Sequence, residues 1–368
     1  MLVFPPEVLA RISPDLSLQR HLSLGVRPSL RGFTEFRDVG ISDGDLSRHS
    51  VECKSRASNN IIGSNVLRAG NTFVVAAITA SVVEEALVEK AGAEKGPARK
   101  KYGPVYPVVE VDRGKVERGR GGVPTDEKMI LSQRLHDAIS ASGLIPSEAL
   151  EVVCGMRTLA PSGELKTMYP EDYDGDEEAA KILSLNDRRK WSYCLHAKIE
   201  VFSRDGPLFE LCWNSLMYAL QTVQLPRVYM DERAADLKIP IRTRGRNAMI
   251  KEAYDLKFDP LRSIVLDLNK NNIAYASGFG VTDLDNESRL EPGEDDMAVE
   301  VPEKILLVDL EGEAEEASIK STLSLVTSPG GQLTTISLIG GGSRITLDLI
   351  KSSFQHAKER SKDLASKV

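Results

Sequence analysis

One stretch of this chain, from Phe209 to Leu220, is apolar on nearly every side of a helix. Its apolar positions are Leu211, Cys212, Trp213, Leu216, Met217 and Leu220. A helix with this pattern must be covered from all directions, and twelve residues are too few to span a bilayer. The stretch therefore predicts a central buried helix with other elements packed around it.

Strands are predicted where β-branched residues cluster, at Thr72 to Val83, Val105 to Val111 and Tyr193 to Phe202. Alternation in the third places one face in the core and leaves His196 on the wetter face, where the favoured interpretation is a hydrogen-bonded sheet residue and the alternative is a base. Five shorter strands are predicted in the second half: Ile264 to Leu268, Ile273 to Ala276, Ile305 to Leu310, Ile319 to Val326 and Leu333 to Ile339.

Helix signals flank these strands. Val8 to Leu24 predicts a helical segment interrupted near Pro14, and Thr125 can cap a helix that Gly143 closes. A last helix is predicted to start at Thr346. Strands followed by helices, in two rounds, predict an α+β fold with sheets covered by helices.

The formal net charge of −7 hides an uneven distribution. Residues 171–178 hold six acids, and residues 283–300 hold eight acids and one arginine. Both stretches lack apolar periodicity, which indicates solvated loop insertions on a mildly basic body.

Two basic clusters stand out on that body. Between Lys95 and Arg120 there are eight basic residues, which could hold phosphates or could form an ordinary solvated loop. Arg242, Arg244 and Arg246 would share one face of a strand, where they could bind an anion or keep an edge soluble.

Metal, redox and membrane roles are not indicated. The four cysteines form no CxxC pair and mostly lie in apolar surroundings, which predicts buried thiols, and five scattered histidines suggest no zinc site. No apolar run approaches the roughly 20 residues of a membrane span, and no secretory signal is visible, so a soluble intracellular protein is expected. The sequence predicts no cofactor.

A glycine-rich turn, Gly340-Gly341-Gly342-Ser343, lies between a predicted strand and the last helix. Such loops can bind phosphate at a helix start, but no Walker pattern follows. A tight turn that needs glycine geometry is the favoured interpretation.

Several stretches together resemble one known family. They are Phe4-Pro5-Pro6-Glu7-Val8-Leu9, Arg27-Pro28 to Phe36-Arg37, Gly63 to Leu67, Leu211 to Leu216, Leu225-Pro226-Arg227, Ile241 to Arg246 and Gly340 to Gly342. The chain is similar over nearly its whole length to the RNase PH-like subunits of the eukaryotic RNA exosome. The resemblance implies the RNase PH fold (ribosomal protein S5 domain 2-like): α+β, with two βαβα-type subdomains whose helices pack on mixed sheets. It also implies a division into an N-terminal helical extension (1–35), a first subdomain (36–228) and a second subdomain (229–368) that carries the acidic insertion 283–300.

Active members of that family cleave RNA 3′ ends with phosphate held by an arginine at a helix start, in an Asp-Gly-Gly-Thr-Arg turn. Here the turn is Asp205-Gly206-Pro207-Leu208-Phe209, so Phe209 replaces the arginine and Pro207 removes an amide donor. The family's acid pair falls at Ala317 and Leu323, and no carboxylate occurs from Ala317 through Ile345. Asp309 and Glu315 have the pair's spacing but lie earlier, where solvated acids are expected. No catalytic residue is predicted.

The resemblance thus implies a non-catalytic structural subunit that supports 3′-to-5′ RNA degradation and the 3′-end processing of ribosomal and other RNA by channelling RNA to a separate hydrolytic nuclease. The implied partners are other RNase PH-like subunits, as a heterodimer within a six-membered ring, an S1/KH cap subunit, the nuclease and RNA, without a membrane. The implied locations are nucleus, nucleolus and cytoplasm. Arg113, Arg118 and Arg120 are the RNA-contact candidates, although interface arginines would look the same in sequence. The alternative is an active phosphate-dependent 3′-exoribonuclease.

Overall fold

The computed structural model describes residues 8, 11–50, 59–85, 104–112, 125–159, 163–172, 182, 186, 190–234, 237–242, 250–285 and 302–367. Its helices are α1 (Pro14–Ser23), α2 (Asp126–Ser142), α3 (Phe209–Gln221), α4 (Gly312–Ser318) and α5 (Leu347–Ala365). Its strands are β1 (Val39–Asp43), β2 (Gly63–Ala69), β3 (Thr72–Glu85), β4 (Val105–Val111), β5 (Glu151–Val152), β6 (Cys154–Leu159), β7 (Leu165–Met168), β8 (Lys190–Phe202), β9 (Gln224–Asp231), β10 (Lys238–Arg242), β11 (Ile250–Tyr254), β12 (Leu256–Val265), β13 (Tyr275–Asp283), β14 (Lys304–Val308), β15 (Ser321–Thr327) and β16 (Leu333–Ile339). No helix of the described residues is both long and apolar enough to cross a membrane.

The strands form mixed and antiparallel sheets. The first sheet has the order β1-β2-β3-β8-β4, with β5 also paired to β8, and β4 runs parallel to β8 while the other pairs are antiparallel. A second sheet has the order β14-β13-β15-β16 and is antiparallel throughout. The order β12-β9-β6-β7 forms a third, and β10 pairs with β11. Helices pack on these sheets, so the predicted α+β architecture is confirmed.

Helix α3 lies where the sequence predicts a central helix. Every residue from Leu211 to Leu220 is buried, and the helix contacts β2 and β3 of the first sheet and β13 of the second. Trp213 donates its indole N–H to the Ala274 carbonyl at 2.8 Å, and Asn214 exchanges two hydrogen bonds with the backbone of Ala276. Ser215, on the same helix, donates to Asn65 of β2. Because these bonds reach both sheets, α3 joins the two halves of the molecule.

The N-terminal segment packs against the second sheet. Leu18 and Leu22 of α1 form a buried cluster with residues that include Ile305, Leu307 and Ile319. The helical residues 11 and 12 are separated from α1 by Ser13, which confirms the predicted interruption near Pro14.

Most predicted elements are present, with shifted ends in the second half. Helix α2 begins after Thr125 and closes at Gly143 in a left-handed conformation (φ 60°), as predicted, but the Thr125 side chain makes no capping hydrogen bond. The strand predicted at Ile264 to Leu268 was misplaced, because β12 spans Leu256–Val265.

Cys154, Cys194 and Cys212 are buried free thiols, as predicted, and Cys53 lies outside the described residues. The subdomain division stays a prediction; residue 228 lies within β9.

Candidate functional site

A cavity of about 450 Å³ lies where the first turn of α3 meets α2 and the second sheet. Helix α2, strands β13, β15 and β16, and the turn before α3 all contribute lining residues. The lining residues with polar or charged side chains include Glu127, Arg134, Glu210, Asp309, Thr322, Ser324 and Ser337. The remaining lining is largely apolar and includes Ile130, Leu131, Phe209, Leu211, Phe279, Leu310, Leu323 and Ile339.

The turn that starts α3 is held in place by backbone geometry. Gly206 has a positive φ of 88°, and a Cβ there would collide with the carbonyl oxygen of Leu310. The Asp205 carboxylate accepts a hydrogen bond from the Gly312 N–H at 2.7 Å. These contacts fix the start of α3 against the loop that follows β14.

Phe209 is the first residue of α3, and its ring is buried. The ring stacks on Trp213 with centroids 6.1 Å apart, and the Arg134 guanidinium carbon lies 4.3 Å from its centroid. An arginine from α2 thus lies over an aromatic ring at the helix start, in a cation–π arrangement. The sequence did not indicate Arg134.

The two positions predicted to have lost carboxylates are separated in space. Leu323, on β15, is buried and lines the cavity beside Phe209. Ala317 lies on α4 with an exposed side chain and is not among the lining residues. The structure therefore brings Phe209 and Leu323 together at one cavity and leaves Ala317 outside it.

Three of the described residues that line the cavity are acids, and two of these form ion pairs. Glu127 pairs with Arg204 at 2.7 Å, and Asp309 pairs with Arg37 at 2.7 Å. Glu210 makes no ion pair among the described residues, and burial raises its pKa. The nearby Ser324 hydroxyl and the Arg134 charge offset only part of that rise. Glu210 is the only charged residue between Phe209 and Leu220, and this isolated charge in an apolar stretch is the signal in the sequence that marks it.

The expectation that Asp309 and Glu315 are solvated was wrong. The Glu315 side chain is fully buried and accepts from Arg27, whose Nε lies 2.9 Å from Oε1. Burial acts to raise the pKa of Asp309, but hydrogen bonds and charge from Arg37 outweigh it and lower that pKa. Arg27 also donates to the carbonyls of Val308 and Asp309. These two acids fasten the N-terminal segment to the second sheet.

The remaining predicted residues do not gather at this cavity. Arg113, Arg118, Arg120, Arg244 and Arg246 lie outside the described residues, and Arg242 ends β10. His196 lies on the first sheet, with Nε2 2.9 Å from Ser81 Oγ. In the part of the chain that the structure describes, no group of three or more His, Cys, Asp or Glu side chains could hold a metal ion.

Comparisons with known proteins agree with this fold. Residues 35–226 match the sequence profile of RNase PH, described as "3′ exoribonuclease family, domain 1". The chain is 26% identical over 231 residues to the exosome complex component rrp43 of Schizosaccharomyces pombe, a match that covers 63% of this chain and 65% of that protein, just under two thirds of its length.

Two solved structures share the fold. One is the Archaeoglobus fulgidus exosome with RNA bound to the active site, with a TM-score of 0.56 and 16% identity over 98% of this chain and 99% of that chain. The other is an archaeal exosome core, with a TM-score of 0.53 and 16% identity over 99% of each chain. At this identity the likeness concerns the fold alone.

Proposed function

Because this chain belongs to the 3′ exoribonuclease (RNase PH) family, we propose that it is a non-catalytic structural subunit of an RNA exosome core ring. Its similarity to an exosome component of fission yeast supports the assembly. The proposed role is to support 3′-to-5′ RNA degradation and 3′-end processing by passing RNA to a separate hydrolytic nuclease.

The chemistry of the cavity carries the non-catalytic role. A phosphate dianion at a helix start needs free amides and a fixed cation. Here the first helical residue is Phe209, Pro207 lacks an amide hydrogen, and Glu210 places a carboxyl in the first turn. Among the described lining residues the only cation is Arg134, which lies over the Phe209 ring. Arg204 and Arg37 are already paired with the lining acids Glu127 and Asp309. This environment disfavours inorganic phosphate, the co-substrate that an active member would require.

Restoring the arginine alone is expected to leave the chain inactive. In Phe209→Arg, the new guanidinium would have no carboxylate on β15 to act with, and each such group normally contributes orders of magnitude to the rate. The measurement is phosphate-dependent shortening of a 5′-labelled RNA, with Phe209→Leu as the neutral control. Release of nucleoside diphosphates by the arginine variant above the control would contradict the non-catalytic role.

The proposed partners are other RNase PH-like subunits, an S1/KH cap subunit, the nuclease and RNA. Native mass spectrometry of the tagged chain purified from its own cells tests this assembly. We expect a heteromeric particle in which each different subunit occurs once. A homodimer or homohexamer would instead favour a self-sufficient enzyme.

We further propose that the chain works in the nucleus, nucleolus and cytoplasm. Fluorescence imaging of the tagged chain tests this directly, and confinement to one compartment would contradict it.

Arg113, Arg118 and Arg120 remain the proposed RNA contacts. Reversing the charge of Arg118 and Arg120 together is expected to weaken RNA binding by the assembled particle without unfolding the chain. Since each phosphate contact with a single strand contributes about 0.7 unit to the salt dependence, the slope of log affinity against log salt should fall by about 1.4. An unchanged slope would assign these arginines to subunit contacts.

A further inference from the structure

We propose that the cavity beside Phe209 receives an aromatic side chain with a hydrogen-bond donor, tyrosine or tryptophan, presented by a partner protein on an extended segment along β16. This inference rests on the proposed function, since it assumes that the chain works as part of an assembly.

Strand β16 offers an open edge for such a segment. It is the last strand in the order β14-β13-β15-β16, and β15 is its one partner among the described residues. The strand, Leu333-Thr-Thr-Ile-Ser-Leu-Ile339, has no charged residue, and its four large aliphatic side chains are 42–51% exposed. Unprotected apolar edges are templates for an added strand, and soluble proteins usually block them with charge.

The cavity adjoins that edge. Ser337 and Ile339, alternate residues of β16, both line it. When a peptide adds to a sheet edge, backbone hydrogen bonds give affinity and pockets for side chains give specificity. A volume of about 450 Å³ with mostly apolar walls suits one large side chain of such a peptide.

The polar groups in the cavity define what that side chain must carry. Ser324 Oγ is buried and has no hydrogen-bond partner of normal geometry among the described residues. Glu210 lies close enough for this hydroxyl to lower its pKa, and it makes no ion pair among the described residues. A buried polar group without a partner is costly, and an incoming donor that hydrogen-bonds to Ser324 Oγ would remove that cost. The donors of the tyrosine hydroxyl and the tryptophan indole lie at the far edge of an apolar ring, which matches apolar walls with a polar end.

Other occupants match less well. An RNA base would bring its phosphate towards Glu127, Glu210 and Asp309. A lysine or arginine side chain would place a cation near Arg134, which already lies over the Phe209 ring. Tyrosine and tryptophan are also the residues that most often dominate the centres of protein interfaces.

Ligand titrations with the free full-length chain test the inference. The probes are N-acetyl-tyrosinamide and N-acetyl-tryptophanamide, with N-acetyl-phenylalaninamide as the probe without a ring donor, followed by NMR. We expect the two donor probes to bind with Kd on the order of 1 mM and the phenylalanine probe to bind about tenfold more weakly, a difference of about 1.4 kcal/mol. Equal binding of all three probes, no binding, or tighter binding of adenosine or uridine would overturn the proposal.

Two matched variants locate the effect. Ser337→Trp should fill the cavity and abolish probe binding, whereas Leu338→Trp, on the opposite face of the same strand, should leave it unchanged. In native mass spectrometry, Ser337→Trp should enter the heteromeric particle about tenfold less than Leu338→Trp. Equal incorporation of both variants would overturn the inference and leave the ring role intact. A wild-type chain found as a homo-oligomer would instead overturn the ring role.

Discussion

Replacing Arg27 with methionine is expected to lower the free energy of unfolding by about 3–5 kcal/mol, because it leaves a charged carboxylate buried without its partner. The side chains of Arg27 and Glu315 are both fully buried, and the arginine also donates to the carbonyls of Val308 and Asp309. The substitution therefore removes the partner of one charge and of two backbone acceptors. Urea denaturation of the purified chain measures the loss.

Two further variants separate the charge from the packing. Replacing both partners, in Arg27→Met with Glu315→Leu, should recover most of the loss, since apolar residues of similar volume often substitute well for a buried ion pair. Lys351→Ala, which breaks an exposed pair with Asp348, should change stability by less than about 0.5 kcal/mol. If Arg27→Met behaved like Lys351→Ala, the buried pair would not fasten the N-terminal segment.

Trp213→Ala is expected to destabilise the chain by a similar amount, about 3–5 kcal/mol, by leaving a large cavity in the centre of the molecule. Trp213 is among the largest fully buried side chains, and its indole bonds to Ala274 just before β13. Because α3 contacts both main sheets, the loss should appear in one cooperative unfolding transition.

Trp213→Phe distinguishes the hydrogen bond from the volume. It retains much of the ring but leaves the Ala274 carbonyl without its donor, so a loss of about 1–3 kcal/mol is expected. Thermal unfolding followed by circular dichroism gives both values. A Trp213→Ala chain that lost less than the phenylalanine variant would show that α3 is not the shared core.

The parts of the fold that sequence predicts well are those with a local period. The alternation from Tyr193 to Phe202 and the uniform apolarity of α3 depend on neighbours a few residues apart, and both elements are where the pattern places them. The prediction for β12 was misplaced because this strand is exposed along nearly its whole length, so its residues do not alternate between buried and exposed.

The candidate site was predictable in part. The family resemblance pointed to Phe209, Ala317 and Leu323, and two of these, Phe209 and Leu323, meet at one cavity. The paired state of Glu315 could not be read in this way, because its partner Arg27 lies 288 residues away and the local sequence resembles a solvated acidic turn. Arg134 was missed because it belongs to a different helix, and its position over Phe209 is a property of packing alone.

The attachment of the N-terminal segment has a consequence for synthesis. At about 5–20 residues per second, the ribosome needs roughly 15–60 s to extend the chain from Arg27 to Glu315. During that interval Leu18 and Leu22 have no second sheet to cover them, since Ile305, Leu307 and Ile319 emerge late. The nascent chain thus carries an uncovered apolar segment through most of its translation, and until the second sheet emerges this segment is exposed to non-native apolar contacts.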